Sequence, residues 1–369
     1  MTERLDARAL NRATLARQFL LERTGASVLD AVGHLCGLQA QEPQEPFVGL
    51  WSRMRGFDPA ELSRLLEQRA VVRLHLMRRT VHLVTAEDAW HWRPRHQALL
   101  RQRILGVYAR DLAGLDLDEL AAQARALLSD GRPRSLGAIG RELAERHPGR
   151  APRPLGEAVV AALVPAVQLP PRGTWRSTAG ASYVPLAQWL GRSAAPEPSD
   201  SADPVGADLV RRYLGAFGPA AGADLRAWCG LAGLPKAVAA VRDELVSFRD
   251  ERGRELLDLP GAPRPGPDTP APVRFLPAFD NAILGYHDRS RIIDHDHRGL
   301  SVAAARVVLV DGRVSATWTC DSGGIRVTPL RQFTHSERAA VAEEADHLAT
   351  FLSDDGYDRH GAAAPMPRR

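Results

Sequence analysis

Gln39 and Gln41 stand two residues apart in the segment His34-Leu35-Cys36-Gly37-Leu38-Gln39-Ala40-Gln41-Glu42-Pro43-Gln44-Glu45-Pro46. The segment leaves an apolar helical stretch, and Pro43 and Pro46 keep helix from running through it. In an extended chain alternate side chains share a side, so the pair would present two primary amides together. Such amides can orient a water molecule or hold a base edge; they can equally satisfy backbone groups within a loop. A Gln-x-Gln spacing alone does not choose between these. Glu42 and Glu45 are nearby carboxylates, but consecutive turn positions seldom face one site, and both are expected in solvent.

Arg78 and Arg79 fall at the tip of a predicted hairpin, where they would contact phosphate or form a solvated turn. Tyr286-His287-Asp288-Arg289-Ser290-Arg291 combines polar donors with two arginines after a predicted strand and suits a DNA-facing loop. His287, Asp294, His295, Asp296 and His297 lack a fixed tetrahedral spacing. Cys36, Cys229 and Cys320 are too far apart for a Cys-x-x-Cys unit. No metal and no cofactor is therefore expected. Ser322-Gly323-Gly324 reads as a turn, and Trp51, Trp90 and Trp92 as core or interface. All but one of the 48 lysines and arginines are arginine, so Schiff-base chemistry would fall to Lys236 or the amino terminus. Arginine, in turn, suits phosphate contacts.

These candidates need elements to hold them. The chain has 369 residues, 44% hydrophobic and 25% charged, with a formal net charge of +4. That is ordinary for globular protein and rules out wholesale disorder. The longest apolar run, Ala158 to Val164, is far short of the ~20 residues of a membrane span, and no signal-peptide core follows Met1. The sequence predicts a cytoplasmic, nucleoid-associated protein that works as a monomer without an obligate protein partner.

Ser193–Gly206 and Pro260–Pro272 read as linkers, and Gly361–Arg369 as a frayed tail. Between them one pattern recurs three times: short helices, then a strand pair. The clearest copy has apolar stripes at Leu209, Val210, Tyr213, Leu214 and Phe217, then Leu225, Trp228 and Cys229. A helix opening at Pro235 follows, then strands Leu245–Phe248 and Glu255–Leu259. The middle copy runs from Asp116 to Leu190, with wing strands Val167–Leu169 and Thr174–Thr178. The first has stripes at Leu15/Phe19 and Val28/Val32/Leu35, and a helix capped by Asp58-Pro59. Its strands are Val71–Leu76 and Thr80–Val84, and Thr85 caps the next helix. Beyond Pro272, Val273–Phe275, Ala282–Leu284, Ala304–Val310 and Val314–Trp318 read as strands, with Asp311-Gly312 a hairpin turn. A helix from Ser336 to Leu352 closes the chain.

The expectation is an α+β protein of three tandem winged helix-turn-helix units and a small β-rich C-terminal domain with a closing helix. The boundaries are 1–115, 116–205, 206–272 and 273–369. Nucleic acid is the leading partner of such units; they also serve as packing modules. A non-enzymatic DNA-binding regulator is the competing reading.

The stretches GLQAQEPQEPFVGLWSRM, RRTVHLVTAEDAW, LPAFDNAILGYHDRSRII and ATWTCDSGGIRVTPL resemble the AlkZ/YcaQ-type winged-helix DNA glycosylases. The resemblance spans nearly the whole chain. It implies tandem winged helices and double-stranded DNA with alkylated purines as partner. It also implies hydrolysis of the N-glycosidic bond at N7-alkylated guanine, including unhooking of interstrand crosslinks from a genotoxic natural product. In one branch the catalytic motif is Gln-x-Gln, which implies Gln39 and Gln41 as catalytic. Asn281, with His287, Arg289 and Arg291, belongs to a resembling segment and is a candidate DNA contact alongside Arg78 and Arg79. An N7-alkylguanine already carries positive charge and leaves without a strong general acid. On this reading the two amides position water and offer carbonyl dipoles to the oxocarbenium. With one lysine in the chain, a monofunctional hydrolytic enzyme leaving an abasic site is expected.

Overall fold

The computed structural model describes residues 3–193, 203–321 and 324–353. The tail from Gly361, Ser322-Gly323 and most of the 193–206 linker lie outside the described residues. Pro204, assigned to that linker, instead begins a helix capped by Asp203, whose side chain accepts from the Gly206 N–H.

The chain starts with strand β1 (Arg4–Leu5) and helix α1 (Ala7–Arg17). Helix α2 (Val28–His34), strand β2 (Leu38–Gln39) and helices α3 (Glu45–Trp51) and α4 (Pro59–Glu67) follow. A hairpin of β3 (Val71–His75) and β4 (Val81–Thr85) leads into α5 (Ala86–Arg95) and α6 (Gln97–Val107). Capping is as the sequence predicts. Asp58 accepts from the Ala60 N–H with Pro59 in the first turn, and Thr85 accepts from the Asp88 N–H.

The middle region holds α7 (Leu117–Leu128), β5 (Arg134–Ser135), α8 (Leu136–Ala144) and α9 (Pro152–Ala158), the last running into a π-helical turn over Val159–Leu163. Then come β6 (Ala166–Gln168), β7 (Ser182–Pro185) and α10 (Leu186–Leu190). The wing strand expected at Thr174–Thr178 is not formed. That backbone is tied to Gln44, whose Oε1 accepts from the Arg176 N–H at 2.9 Å and whose Nε2 donates to the Thr174 carbonyl at 3.0 Å. Trp175 packs on Phe47, with ring centroids 4.8 Å apart. The returning strand comes later, at β7.

The third copy has helices α11 (Pro204–Phe217), α12 (Gly222–Cys229) and α13 (Leu234–Ala240), then β8 (Val246–Asp250) and β9 (Glu255–Asp258). The C-terminal region holds β10 (Arg274–Leu276), the short helix α14 (Asn281–Leu284), β11 (Arg306–Val310), β12 (Arg313–Asp321), β13 (Gly324–Pro329) and α15 (His335–Ser353). Ala282–Leu284 is helical, not a strand, because the Asp280 carboxylate accepts from the Ala282 N–H and starts a turn. Strand β13 was not foreseen.

Among the described residues the strands form three sheets. The hairpins of the first two regions join through antiparallel pairing of β3 with β6, Arg73 opposite Gln168 and Leu74 opposite Val167. They make one six-stranded sheet ordered β2-β4-β3-β6-β7-β5. In the second sheet, β1 lies parallel to β8 beside β9. The third, β10-β11-β12-β13, is covered by α15 through Val341, Leu348 and Leu352. Apolar burial crosses these regions: one cluster draws on Val72, Leu74 and Trp92, on Val167 and Val184, and on Tyr213, Phe217 and Trp228.

Candidate active site

Strand β2 is where the two glutamines are held. Helix α2 ends at Leu35, and Cys36 and Gly37 both take positive φ, 56° and 84°. This reversal lays Leu38 and Gln39 against β4, Gln39 opposite His82. At Gly37 a Cβ would stand 2.4 Å from Val84 Cγ1 and 2.8 Å from the Leu83 carbonyl, so the chain passes this close only as glycine. Ala40 continues the ladder, its N–H donating to the Val81 carbonyl at 2.8 Å. Its methyl is buried with Leu38, Phe47 and Leu83.

Two arginines of the β3–β4 hairpin, Arg73 buried and Arg78 half-buried, grip this segment. Arg73, 0% exposed, donates from Nη2 to the Ala40 carbonyl at 2.9 Å and to Gln168 Oε1 at 3.2 Å. Burial, reinforced by the neighbouring Arg172 charge, lowers its pKa to about 9. Arg78 lies in the hairpin turn with Arg79, both at positive φ, 55° and 63°. The Arg78 guanidinium turns inward rather than out from the tip. Its Nη2 donates to Gln39 Oε1 at 2.9 Å and to Asn281 Oδ1 at 3.0 Å; its Nη1 donates to the Trp228 carbonyl at 2.6 Å. His82 Nε2 is 3.4 Å from the same Nη2. Burial lowers the Arg78 pKa to about 10 and drives that of His82 well below the ordinary histidine value. A neutral His82 whose Nδ1 hydrogen goes to the Thr80 carbonyl at 3.1 Å leaves Nε2 as a lone pair facing Arg78.

Gln41 is exposed, and its Oε1 accepts from the Val81 N–H at 3.3 Å, capping the end of the β2–β4 ladder. Each glutamine thus accepts one hydrogen bond at its carbonyl oxygen, from a group that can only donate. Among the described residues no acceptor takes Nε2 of either glutamine.

The other candidates divide. Arg79 is half-buried and His287 exposed, and their side chains make no hydrogen bond among the described residues. Arg289 is half-buried, donating to Ser301 Oγ at 2.6 Å. Arg291 is buried: its Nη1 donates to the Pro219 carbonyl at 3.0 Å, and the guanidinium lies 4.2 Å from the Tyr286 ring centroid. It is part of the core, not of a DNA-facing loop. Asn281 is likewise interior, with Nδ2 donating to the Gly37 carbonyl at 3.4 Å. Glu42 is exposed as expected, but Glu45 is not. It is buried, accepts from the Ala278 N–H at 2.6 Å and pairs with Arg306. The sequence reading missed Arg73 and His82. Their signal was a charged or polar residue inside an otherwise apolar strand, Val71-Val72-Arg73-Leu74 and Val81-His82-Leu83-Val84. Trp92 is fully buried; Trp51 and Trp90 are half-buried. Among the described residues no group of three or more His, Cys, Asp or Glu side chains is placed to hold a metal ion.

A family model described as DNA glycosylase AlkZ-like matches residues 32–351. The chain belongs to the AlkZ-like DNA glycosylase family. It is accordingly a DNA glycosylase, and the regulator reading is set aside. An interstrand DNA cross-link repair glycosylase of Streptomyces sahachiroi is 26% identical over 368 residues, covering 91% of this chain and 93% of that protein. The solved structure of Streptomyces sahachiroi DNA glycosylase AlkZ superposes with a TM-score of 0.75 at 23% identity, covering 94% of this glycosylase and 96% of that chain. That likeness shows the mixed helix-and-sheet fold. Among its described residues the glycosylase has no helix long and apolar enough to cross a membrane.

Proposed function

We propose that this glycosylase hydrolyses the N-glycosidic bond of N7-alkylated purines in duplex DNA, interstrand crosslinks included, with Gln39 and Gln41 at the reacting bond. The observation that carries this is the gripped Gln-x-Gln segment: two amides at and just beyond the end of β2, each with its oxygen held and, among the described residues, no acceptor for its nitrogen. Cationic purines suit such a site, because a base that already carries positive charge departs neutral and needs no strong acid. The exposure of Gln41 suits a bulky lesion, which an enclosed base-flipping pocket would not admit. The cross-link repair activity named for the Streptomyces sahachiroi relative supports extension to crosslinks. A part in repair of, or resistance to, DNA-alkylating natural products belongs to the same reading.

We propose further that the enzyme acts as a monomer on nucleoid DNA. Half-buried Arg79 and exposed His287, whose side chains make no hydrogen bond among the described residues, are its first-choice DNA contacts. The test is incubation with a duplex carrying one N7-methylguanine, followed by alkaline cleavage at abasic sites. Wild type should produce the cleaved strand. The Gln39→Ala/Gln41→Ala double variant should bind the duplex while losing base release by about 100-fold or more. Wild-type rates in the double variant would place catalysis elsewhere.

A further inference from the structure

The wiring around Gln39 says which end of its amide meets the substrate. An amide offers one acceptor oxygen and two donor hydrogens, and which end points where is settled by its fixed neighbours. Arginine has no acceptor. The contact at 2.9 Å from Arg78 Nη2 therefore requires Gln39 to present oxygen inward, which turns its NH2 away from Arg78. Arg78 cannot swing aside without cost. It is also fixed by the Trp228 carbonyl from α12 at 2.6 Å and by Asn281 Oδ1 from α14 at 3.0 Å. Asn281 is in turn fixed by the Gly37 carbonyl.

We infer that Arg78 is a positioning residue that locks Gln39 as a hydrogen-bond donor to the departing purine. This rests on the glycosylase reading proposed above. When C1′–N9 breaks, the bonding pair returns to N9 and neutralises the alkylated base, while the sugar takes the positive charge. Water then bonds its oxygen to C1′ and releases a proton to solvent. Electron density on the base, and hence at its acceptors N3 and O6, rises along this path. An N–H placed there is held more strongly in the transition state than in the ground state, which is the condition for catalysis. The same N–H aimed at the water would draw electron density from the oxygen that must attack C1′. Arg78 stands on the first hairpin, and the two groups that fix it come from α12 and α14, so the amide is correctly aimed only when both are docked against that hairpin.

Single-turnover release from the N7-methylguanine duplex tests this. Gln39→Glu keeps an oxygen for Arg78 and removes the N–H donors. It should fall about as far as Gln39→Ala, roughly 100-fold, although a carboxylate would stabilise an oxocarbenium better than an amide does. Gln39→Glu at or above the wild-type rate overturns the inference. Arg78→Met should slow release in the wild-type background and by roughly two-fold at most in the Gln39→Ala background, because it acts through that amide. Costs that multiply overturn it. The dependence of DNA affinity on salt should be the same for Arg78→Met and wild type. A slope shallower by about one unit marks a lost phosphate contact and overturns it. Should Arg78→Met melt at the assay temperature, the Gln39→Glu comparison decides alone. A wild-type protein that releases no base is a distinct result: it removes the functional reading and this inference with it.

Discussion

Arg53 and Asp280 meet as a two-pronged ion pair, Nη1 to Oδ2 at 2.9 Å and Nη2 to Oδ1 at 2.8 Å, with both side chains 1% exposed. The same carboxylate accepts from the Ala282 N–H and so starts α14, whose first residue is Asn281. A charge just beyond α3 is thereby linked through α14 to Arg78 and the Gln39 amide.

Removing one partner of this pair leaves the other charged and buried. Asp280→Ala should cost about 3–5 kcal/mol in urea unfolding. A loss below about 1 kcal/mol would show that the pair does not hold the C-terminal domain to α3.

Stability should respond to acid through three histidines near the hairpin turn. Burial depresses His75, His82 and His96, with nearby arginines adding to the effect. His75 and His96 titrate at about 4. In the unfolded chain they titrate near the ordinary value of about 6.5. Between those values the unfolded state binds more protons than the folded state, so lowering the pH favours unfolding. Stability contributed by these groups is full above about 6.5 and declines toward pH 4, by up to about 1.4 kcal/mol per unit for each histidine that charges. Urea midpoints measured from pH 7.5 down to 4.5 should fall steeply below 6.5. A flat profile would contradict the burial of these rings.

Lys236 is exposed on α13 and bears no part in the gripped segment. Lys236→Ala should release base at the wild-type rate, and borohydride should trap no covalent enzyme–DNA adduct with either protein. Abolished release in the variant would point to amine chemistry instead.

Gly37 is the tightest backbone passage beside the glutamines. Gly37→Val would force β2 from β4 and move the Gln39 amide off Arg78. Base release should drop at least about ten-fold while DNA affinity changes little. Unchanged release would mean that the approach of β2 to β4 does not set the site.

Much of this was legible in local sequence. Asp58-Pro59 and Thr85 announce their helices, Gly218 ends α11 before Pro219, and Asp311-Gly312 turns the C-terminal hairpin. Gln39 lies in β2 and Gln41 just beyond it, the extended path that Pro43 and Pro46 suggested. What local pattern could not carry is the direction of long side chains. Arg78 and Arg291 look like surface cations in a list of residues, yet each points inward because distant carbonyls wait there, from Trp228 and Pro219. Glu45 was read as solvated for the same reason; its partner, Arg306, lies 261 residues away. Ala282–Leu284 is a short apolar run that fits strand or helix, and a capping carboxylate decides for helix. The second wing was misplaced because Gln44 holds the β-prone stretch that seemed to form it.

Strand β1 carries a consequence for how the polypeptide reaches this state. Arg4 Nε donates to the carbonyl of Asp250, 246 residues further on. Strand β1 therefore waits, without its parallel partner, through synthesis of both earlier hairpins. Contacts this distant in the chain are slow to close. Strand β1 can seat only after β8 is made, later than both α1, which follows β1 directly, and α11, on which α1 packs.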